Sequence, residues 1–345
     1  MKSIAEIRQL SPAERDLALS RAKEELRLSN GQKLKNRLAL APLAGTSNLA
    51  FRKLALHYGA AFAVSELVSA RGLNYPGGFT RARPYLAKAK GEMMAIQLFG
   101  YEPEDFRQAI PRLLENPLYA EPISIDLNFG CPVPKVVKTG AGSALLLEPE
   151  RAGEIVAAAV AAARPYGVLV SAKIRSSWAG ESESAMRLLR AIEAAGASLI
   201  CVHGRSREQF YSGQADWEKI AELAAASRIS FYGNGDIATQ ADLAKAFTLP
   251  GLDGVMIGRA AQGAPWIFQQ LLGGPEPSLE EKREVIIEHF ERLCELSGEM
   301  VAVREFRSQL MAYFKGFPGA SSLRREAGKL SSRKELTALL AKLTN

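Results

Sequence analysis

Cysteine and histidine are scarce in this chain, with three of each in 345 residues. The cysteines, Cys131, Cys201 and Cys294, are odd in number and stand at unrelated spacings, a pattern that indicates neither a disulfide framework nor a zinc site. No metal is expected. The chain also lacks any apolar run of 18 residues, and its first ten residues alternate charged with apolar side chains. Neither a transmembrane helix nor a secretory signal fits that pattern. A reducing cytoplasm is the expected compartment, with no membrane partner.

The composition is that of a globular protein, 47% hydrophobic and 23% charged. Such a length accommodates a barrel of about 250 residues with a smaller appendage. The net charge of +7 is concentrated near the end of the chain. Between Arg304 and Lys334 stand eight basic residues (Arg304, Arg307, Lys315, Arg324, Arg325, Lys329, Arg333, Lys334) and two acids, Glu305 and Glu326, a local net of +6. A concentrated basic face suits a polyanion such as nucleic acid. A solvated helical surface has the same composition, and charge alone does not separate the two.

Ser11-Pro12-Ala13-Glu14 is a capping box with proline at the first helical position. Leu19, Ala22 and Leu26 continue at helical spacing, and Ser29-Asn30-Gly31 reads as the stop. Residues 1–33 are therefore expected to be a helical extension. From Arg37 onward, short apolar runs alternate with amphipathic helices: 38–41, 61–64, 93–96, 123–127, 168–172, 199–202, 230–232 and 254–257. Eight buried parallel strands in βα units predict an α/β fold, a closed (β/α)8 TIM barrel over 34–272. Gly273 to Pro277 reads as a linker. Helices are expected over 279–296, 301–314 and 331–343, within a small C-terminal helical domain at 278–345.

The residues that end the eight runs are Pro42, Glu66, Gln97, Asn128 with Cys131, Lys173, His203, Asn234 with Asp236, and Gly258 with Arg259. Carboxyl ends of barrel strands form the active site of this fold. Gly233-Asn234-Gly235-Asp236 and Gly258-Arg259, after strands seven and eight, combine exposed backbone N–H groups with a cation, a phosphate-binding pattern. Gly140-Ala141-Gly142-Ser143 lacks the third glycine of a dinucleotide fingerprint. A phosphate at that rim, with Lys173, Gln97 and His203 around the mouth, suits FMN: a lysine can stabilise the reduced ring and a glutamine can bond its polar edge. Cys131 sits on a loop framed by Gly130 and Pro132. Its unperturbed pKa near 8.5 leaves a protonated thiol able to act as an acid. A nucleophilic Cys131 with His203 as its base is the alternative. Cys201 and Cys294 read as small buried hydrophobes.

Taken with Ala41 to Gly45, Gln97 to Gly100, Lys135, Lys173-Ile174-Arg175, His203-Gly204-Arg205 and Gly258-Arg259-Ala260, the cysteine loop and the Gly-Ala-Gly-Ser stretch resemble the tRNA-dihydrouridine synthases, most closely the bacterial B-type subgroup. The resemblance runs from about Leu34 to Arg325. It implies FMN-dependent reduction of the 5,6 double bond of selected uridines in tRNA, with NADPH as reductant and Cys131 as proton donor. Pro42, Leu43, Ala44, Gln97, Lys173, His203, Asn234, Gly235, Asp236, Gly258 and Arg259 would bind FMN. Asn128, Lys135, Lys138, Arg175, Arg205, Arg324 and Arg325 would contact the RNA. A uridine in a folded tRNA must be swung out to reach a barrel mouth, which requires phosphate anchoring. The basic stretch, with Tyr313 and Phe314 interleaved, supplies it. Phe129 stands where the family commonly has methionine, Arg307-Ser308-Gln309 where it often has Arg-Lys-His, and the N-terminal extension is longer than usual.

Two other readings share these motifs. A small-molecule FMN barrel of the dihydroorotate dehydrogenase type also places Cys-Pro near its flavin, but leaves the basic helices without a purpose. A non-catalytic tRNA-binding protein does not account for Cys131, Lys173, His203 and Asn234 together.

Overall fold

A computed structural model describes residues 2–181 and 183–343. Eight strands carry the fold: β1 (Leu38–Leu40), β2 (Phe62–Val64), β3 (Met94–Phe99), β4 (Ser124–Phe129), β5 (Leu169–Arg175), β6 (Leu199–His203), β7 (Ser230–Asn234) and β8 (Gly254–Ile257). Each is hydrogen-bonded in parallel to the next, and β8 pairs with β1 (Val255 opposite Leu38), which closes the barrel. A two-residue strand, Val68–Ser69, adds to β3 at its carboxyl end. The strands are buried on both faces because helices cover the outside and side chains fill the inside, so they read as continuous apolar runs.

The N-terminal helix ends earlier than its spacing suggests. It spans Pro12–Lys23 and starts at the expected capping box, where Ser11 Oγ accepts the Glu14 N–H and Glu14 accepts the Ser11 N–H. Leu26–Arg27 and Lys33–Leu34 then pair as an antiparallel hairpin. Ser29-Asn30-Gly31 is the turn of that hairpin, with Gly31 at φ 87°, and not the end of a helix. Leu28 and Leu34 pack against Ala39, Phe62, Ala95, Leu199 and Met256 and close the floor of the barrel. The extension is thus part of the barrel's own core. Its 3-10 turn and helix also bind the outside: Arg21 donates to Leu252 O (2.6 Å) and Phe247 O (3.2 Å).

After the barrel come four helices, Leu279–Ser297, Glu299–Tyr313, Ala320–Ala327 and Arg333–Leu340. The third was not expected, since its neighbours are glycine, proline and serine. The four share a core of Val285, Ile286, Phe290, Phe306, Leu310 and Leu336, to which the barrel contributes Ala50, Leu54 and Trp266. They pack beside the β1 end of the barrel mouth. No helix among the described residues is long and apolar enough to cross a membrane.

Candidate active site

The barrel opens at its carboxyl end into a cavity of about 530 Å³. Its wall contains Pro42, Leu43, Ala44, Gln97, Asn128, Cys131, Lys173, Arg175, His203, Asn234, Gly235, Asp236, Gly258 and Arg259. The strand register explains the gathering. Asn128 lies opposite Lys173, His203 opposite both Arg175 and Asn234, and Asn234 opposite Met256, which brings these strand ends together at the carboxyl end of the barrel.

Lys173 is half-buried and donates to Asn234 Oδ1 (3.0 Å), whose amide nitrogen donates to Met256 O (2.7 Å). Burial lowers the pKa of Lys173. His203 is held neutral, well below the ordinary imidazole value, by burial and by the cations Lys173, Arg175, Arg205 and Arg259. Its Nδ1 is buried with no hydrogen-bond partner among the described residues. A buried polar atom in a cavity wall with no protein partner is one that a bound ligand can satisfy. A neutral imidazole beside a lysine and two amides matches a heteroaromatic ring with carbonyl and N–H edges, such as a flavin.

The opposite rim is built around Asp236, at φ 56°. Its carboxylate accepts two bonds from the buried Arg205 (2.9 Å each), one from Arg259 (2.8 Å) and one from the Ala215 N–H (2.8 Å). Preceding it, Gly235 has φ 138°, and a Cβ there would lie 2.4 Å from the Ala215 side chain. Only glycine allows this turn. Arg259 is half exposed, beside the 3-10 turn Arg259–Ala261 that follows Gly258. A cation at the start of a turn is suited to a phosphate.

Cys131 lies on the facing side, half-buried. Asn128 Oδ1 accepts the Cys131 N–H (2.9 Å) and the Gly130 N–H (3.3 Å). Arg175 holds the same loop by donating to Gly130 O (2.9 Å), while its other end donates to Ser206 O and Phe210 O (2.7 Å each). The Gly140 to Ser143 stretch packs behind: Ser143 N–H donates to Cys131 O (3.0 Å). Gly142 has φ 64°, and a Cβ there would sit 2.7 Å from Cys131 O. Those glycines seat the cysteine loop. Burial pushes the Cys131 thiol above its ordinary value, against smaller opposing effects of the Val133 N–H and Arg175. The thiol is therefore an acid at neutral pH. His203 does not serve it as a base among the hydrogen bonds described.

Several expected residues lie outside the cavity. Glu66 instead accepts the Gly45 N–H (2.7 Å), fixing the loop after β1. Arg205 donates to Ser212 O, Gly213 O and Asp236, so it holds the rim from behind and does not face the cavity. Lys135 and Lys138 are exposed on the short helix Pro134–Val137 and its end, just beyond the cysteine loop. Arg324 and Arg325 are exposed on Ala320–Ala327. Conversely, Tyr211 and Lys315 line the cavity without having been singled out for it. Tyr211 stands 5.6 Å over the Arg175 guanidinium. Its only sequence signal was position, eight residues past His203. Cys201 is inert, fully buried against Met256 with its thiol pushed up to about 12 by burial.

Comparison with known proteins agrees with this geometry. A family model described as dihydrouridine synthase matches residues 39–345. A "Probable tRNA-dihydrouridine synthase" of Rhizobium leguminosarum bv. phaseoli is 34% identical over 300 residues, 87% of this chain and 92% of that protein. The "tRNA-dihydrouridine synthase B" of Pseudomonas aeruginosa is 35% identical over 304 residues, 86% and 89% respectively. Among solved structures, histamine dehydrogenase from Rhizobium sp. 4-9 has a TM-score of 0.56 at 11% identity, over 85% of this chain and 51% of that one, a likeness of fold. With a family model matched over most of its length and relatives about a third identical over nearly their whole length, the chain belongs to the dihydrouridine synthase family.

Proposed function

We propose that this enzyme reduces selected uridines of tRNA to 5,6-dihydrouridine, with FMN held in the barrel mouth, NADPH as reductant and Cys131 as proton donor. The observation that carries the reading is Cys131: a thiol kept protonated by burial, on a loop locked by Asn128 and Arg175, in the wall of the cavity at the carboxyl end of the barrel. FMN, when bound, supplies the hydride that one carbon of the uracil double bond receives, and NADPH restores it.

Gln97, Lys173, His203 and Asn234 hold the polar edge of the ring. Gly235, Asp236, Gly258 and Arg259 take the phosphate, and Pro42, Leu43 and Ala44 provide an apolar wall. At the second uracil carbon the S–H bond of Cys131 breaks as a C–H bond forms. The thiolate left behind faces Arg175, a cation at neutral pH although burial lowers its pKa to about 10. Solvent then returns the proton. Asn128 and Arg175 face the base, and Lys135, Lys138, Arg324 and Arg325 meet phosphates outside the mouth. Arg205 contributes by holding Asp236. Lys315, reaching the cavity from the C-terminal helices, favours this reading over a small-molecule barrel, because it ties the basic region to the mouth.

The test is Cys131→Ala. The variant is expected to bind FMN and to be reduced by NADPH at near wild-type rate, yet to lose at least about a hundredfold in dihydrouridine formation, the scale of a lost general acid. Unchanged turnover of tRNA would remove Cys131 from the mechanism. A protein that cannot bind FMN at all would remove the scheme.

A further inference from the structure

A second cavity, of about 240 Å³, lies where the C-terminal helices meet the barrel. The loop after β1 and the turn after β8 form one side of it, and the helices Leu279–Ser297 and Glu299–Tyr313 form the other. The two sides are locked together at Gly263, where a Cβ would lie 2.3 Å from the Ala312 carbonyl carbon. Within the barrel side, Gln262 Nε2 donates to Thr46 Oγ1 (3.3 Å) and ties the turn to the loop.

Polar atoms in this cavity are left without partners. His289 and Gln309 are both buried and both line it, and His289 Nε2 and Gln309 Oε1 have no hydrogen-bond partner among the described residues. The other imidazole nitrogen, Nδ1, is already bonded to the Tyr313 hydroxyl (3.0 Å). Two such atoms at one cavity are ones that a bound ligand can satisfy.

The site is also uncharged. No lysine, arginine, aspartate or glutamate among the described residues lines it, and burial keeps His289 neutral by lowering its pKa to about 3. A phosphate would leave its charge uncompensated there. Phe51 and Tyr313 supply aromatic wall, and the space is smaller than the roughly 300 Å³ at which pockets for drug-sized ligands begin. What fits is one flat, neutral heterocycle, with acceptor and N–H groups on its edge to meet an amide and an imidazole. Ser308 and Gln309 are positions at which this chain departs from the Arg-Lys-His that its family often shows. A lysine at 308 would bring a cation to a wall that this chain leaves neutral.

We propose that this junction cavity binds a single unpaired nucleobase, presented by the RNA strand beside the mouth or by a free nucleoside. The RNA source rests on the functional reading above. Ala44 lines this cavity and the mouth alike, and Lys315, two residues past Tyr313, lines the mouth. An RNA with one base in the mouth therefore seats a second here and leaves the linking phosphates outside, by Lys315. Bases freed from stacking are read on their edges and held against aromatic side chains.

The test has two arms, both on the full-length enzyme. In the first, tRNA transcripts made abasic at one nucleotide at a time are titrated against wild type and Gln309→Leu, read by fluorescence anisotropy. One position besides the reduced uridine is expected to weaken wild-type binding at least about tenfold when abasic, and to leave binding by Gln309→Leu unchanged. Ala312→Leu, which fills the cavity, takes its place if Gln309→Leu fails to fold. In the second arm, free nucleosides at millimolar concentration are added to enzyme carrying isotope-labelled histidine, read by nitrogen NMR. The chain has three histidines, so His57→Gln and His203→Gln identify the His289 signals. These are expected to shift in wild type and to stay in place in Gln309→Leu. A position-specific penalty in the first arm assigns the base to the RNA, and shifts in the second arm alone assign it to a free nucleoside. The absence of both overturns the proposal and leaves water as the occupant. Enzyme that binds no tRNA overturns the functional reading instead, and the second arm then decides the ligand of the cavity by itself.

Discussion

At the scale of single residues, the chemistry depends on which protonation state burial selects. Cys131 is an acid because desolvation disfavours its thiolate. Its folded pKa is raised, so the proton it would donate in the proposed reaction is in place throughout the neutral range and is lost only as pH rises past the ordinary thiol value. The rate of uridine reduction by pre-reduced enzyme is therefore expected to be flat from about pH 6 to 8 and to fall above about 9. A single-turnover profile that instead rises through pH 7 to 8 would mark Cys131 as a nucleophile needing deprotonation. The cysteine was legible in the sequence from its glycine-proline frame. The role of Arg205 was not, because a basic residue in a motif looks the same whether it faces a ligand or an internal carboxylate. Here Asp236, 31 residues further on, consumes it.

At the scale of elements, the starts of all eight strands were legible and several of their ends were not. β3, β4, β5, β6 and β7 each run on past the apolar pattern, through Gln97, Asn128, Lys173 with Arg175, His203 and Asn234. These polar residues belong to the ladder and to the site together, so a reading by hydrophobicity stops where function begins. The C-terminal helices show the converse, a polar residue hidden in a core. His289 is fully buried among Phe51, Phe306 and Tyr313, bonded through Nδ1 to the Tyr313 hydroxyl (3.0 Å), and burial lowers its pKa to about 3. Above about pH 6.5 this histidine is neutral whether folded or unfolded and costs nothing. Below that value the unfolded chain takes up a proton that the folded chain refuses. Stability then falls by about 1.4 kcal/mol per pH unit for this group until the folded value is reached. His203 adds a cost of the same sign. Denaturant midpoints between about pH 6 and 4.5 are expected to drop less steeply in His289→Leu than in wild type, even though the variant starts less stable at pH 7. Parallel slopes would show that His289 takes up its proton in the fold.

At the scale of the whole molecule, the question is how much of the basic stretch is left for RNA once the protein has used what it needs. The count of +6 was legible in the sequence, but the internal partners were not. Arg307 is occupied with Leu330 O at 2.8 and 2.7 Å, and Arg333 pairs with Glu291 (2.8 Å) and Glu299 (3.7 Å). Glu326, one of the two acids in the stretch, pairs with Lys342 beyond it. Arg324 and Arg325 have no carboxylate partner among the described residues and stand exposed on one short helix, while Lys315 continues the positive path to the cavity. Because exposed phosphate contacts act by releasing counterions, each is worth about 0.7 to 0.9 of a unit in the slope of log affinity against log salt. Reversing both charges, Arg324→Glu with Arg325→Glu, is expected to weaken tRNA binding by at least tenfold at 0.1 M salt and to reduce that slope by about 1.5. FMN binding and reduction by NADPH should not change, since neither residue lines the cavity. Reversing Arg333 is expected to act differently, because it leaves Glu291 and Glu299 facing a third acid: the cost falls on stability first, seen as a lower melting temperature. A double variant at 324 and 325 with unaltered affinity and unaltered salt slope would mean that the RNA approaches from the Lys135 and Lys138 side of the mouth, and that the positive charge of the C-terminal helices is a solvated surface.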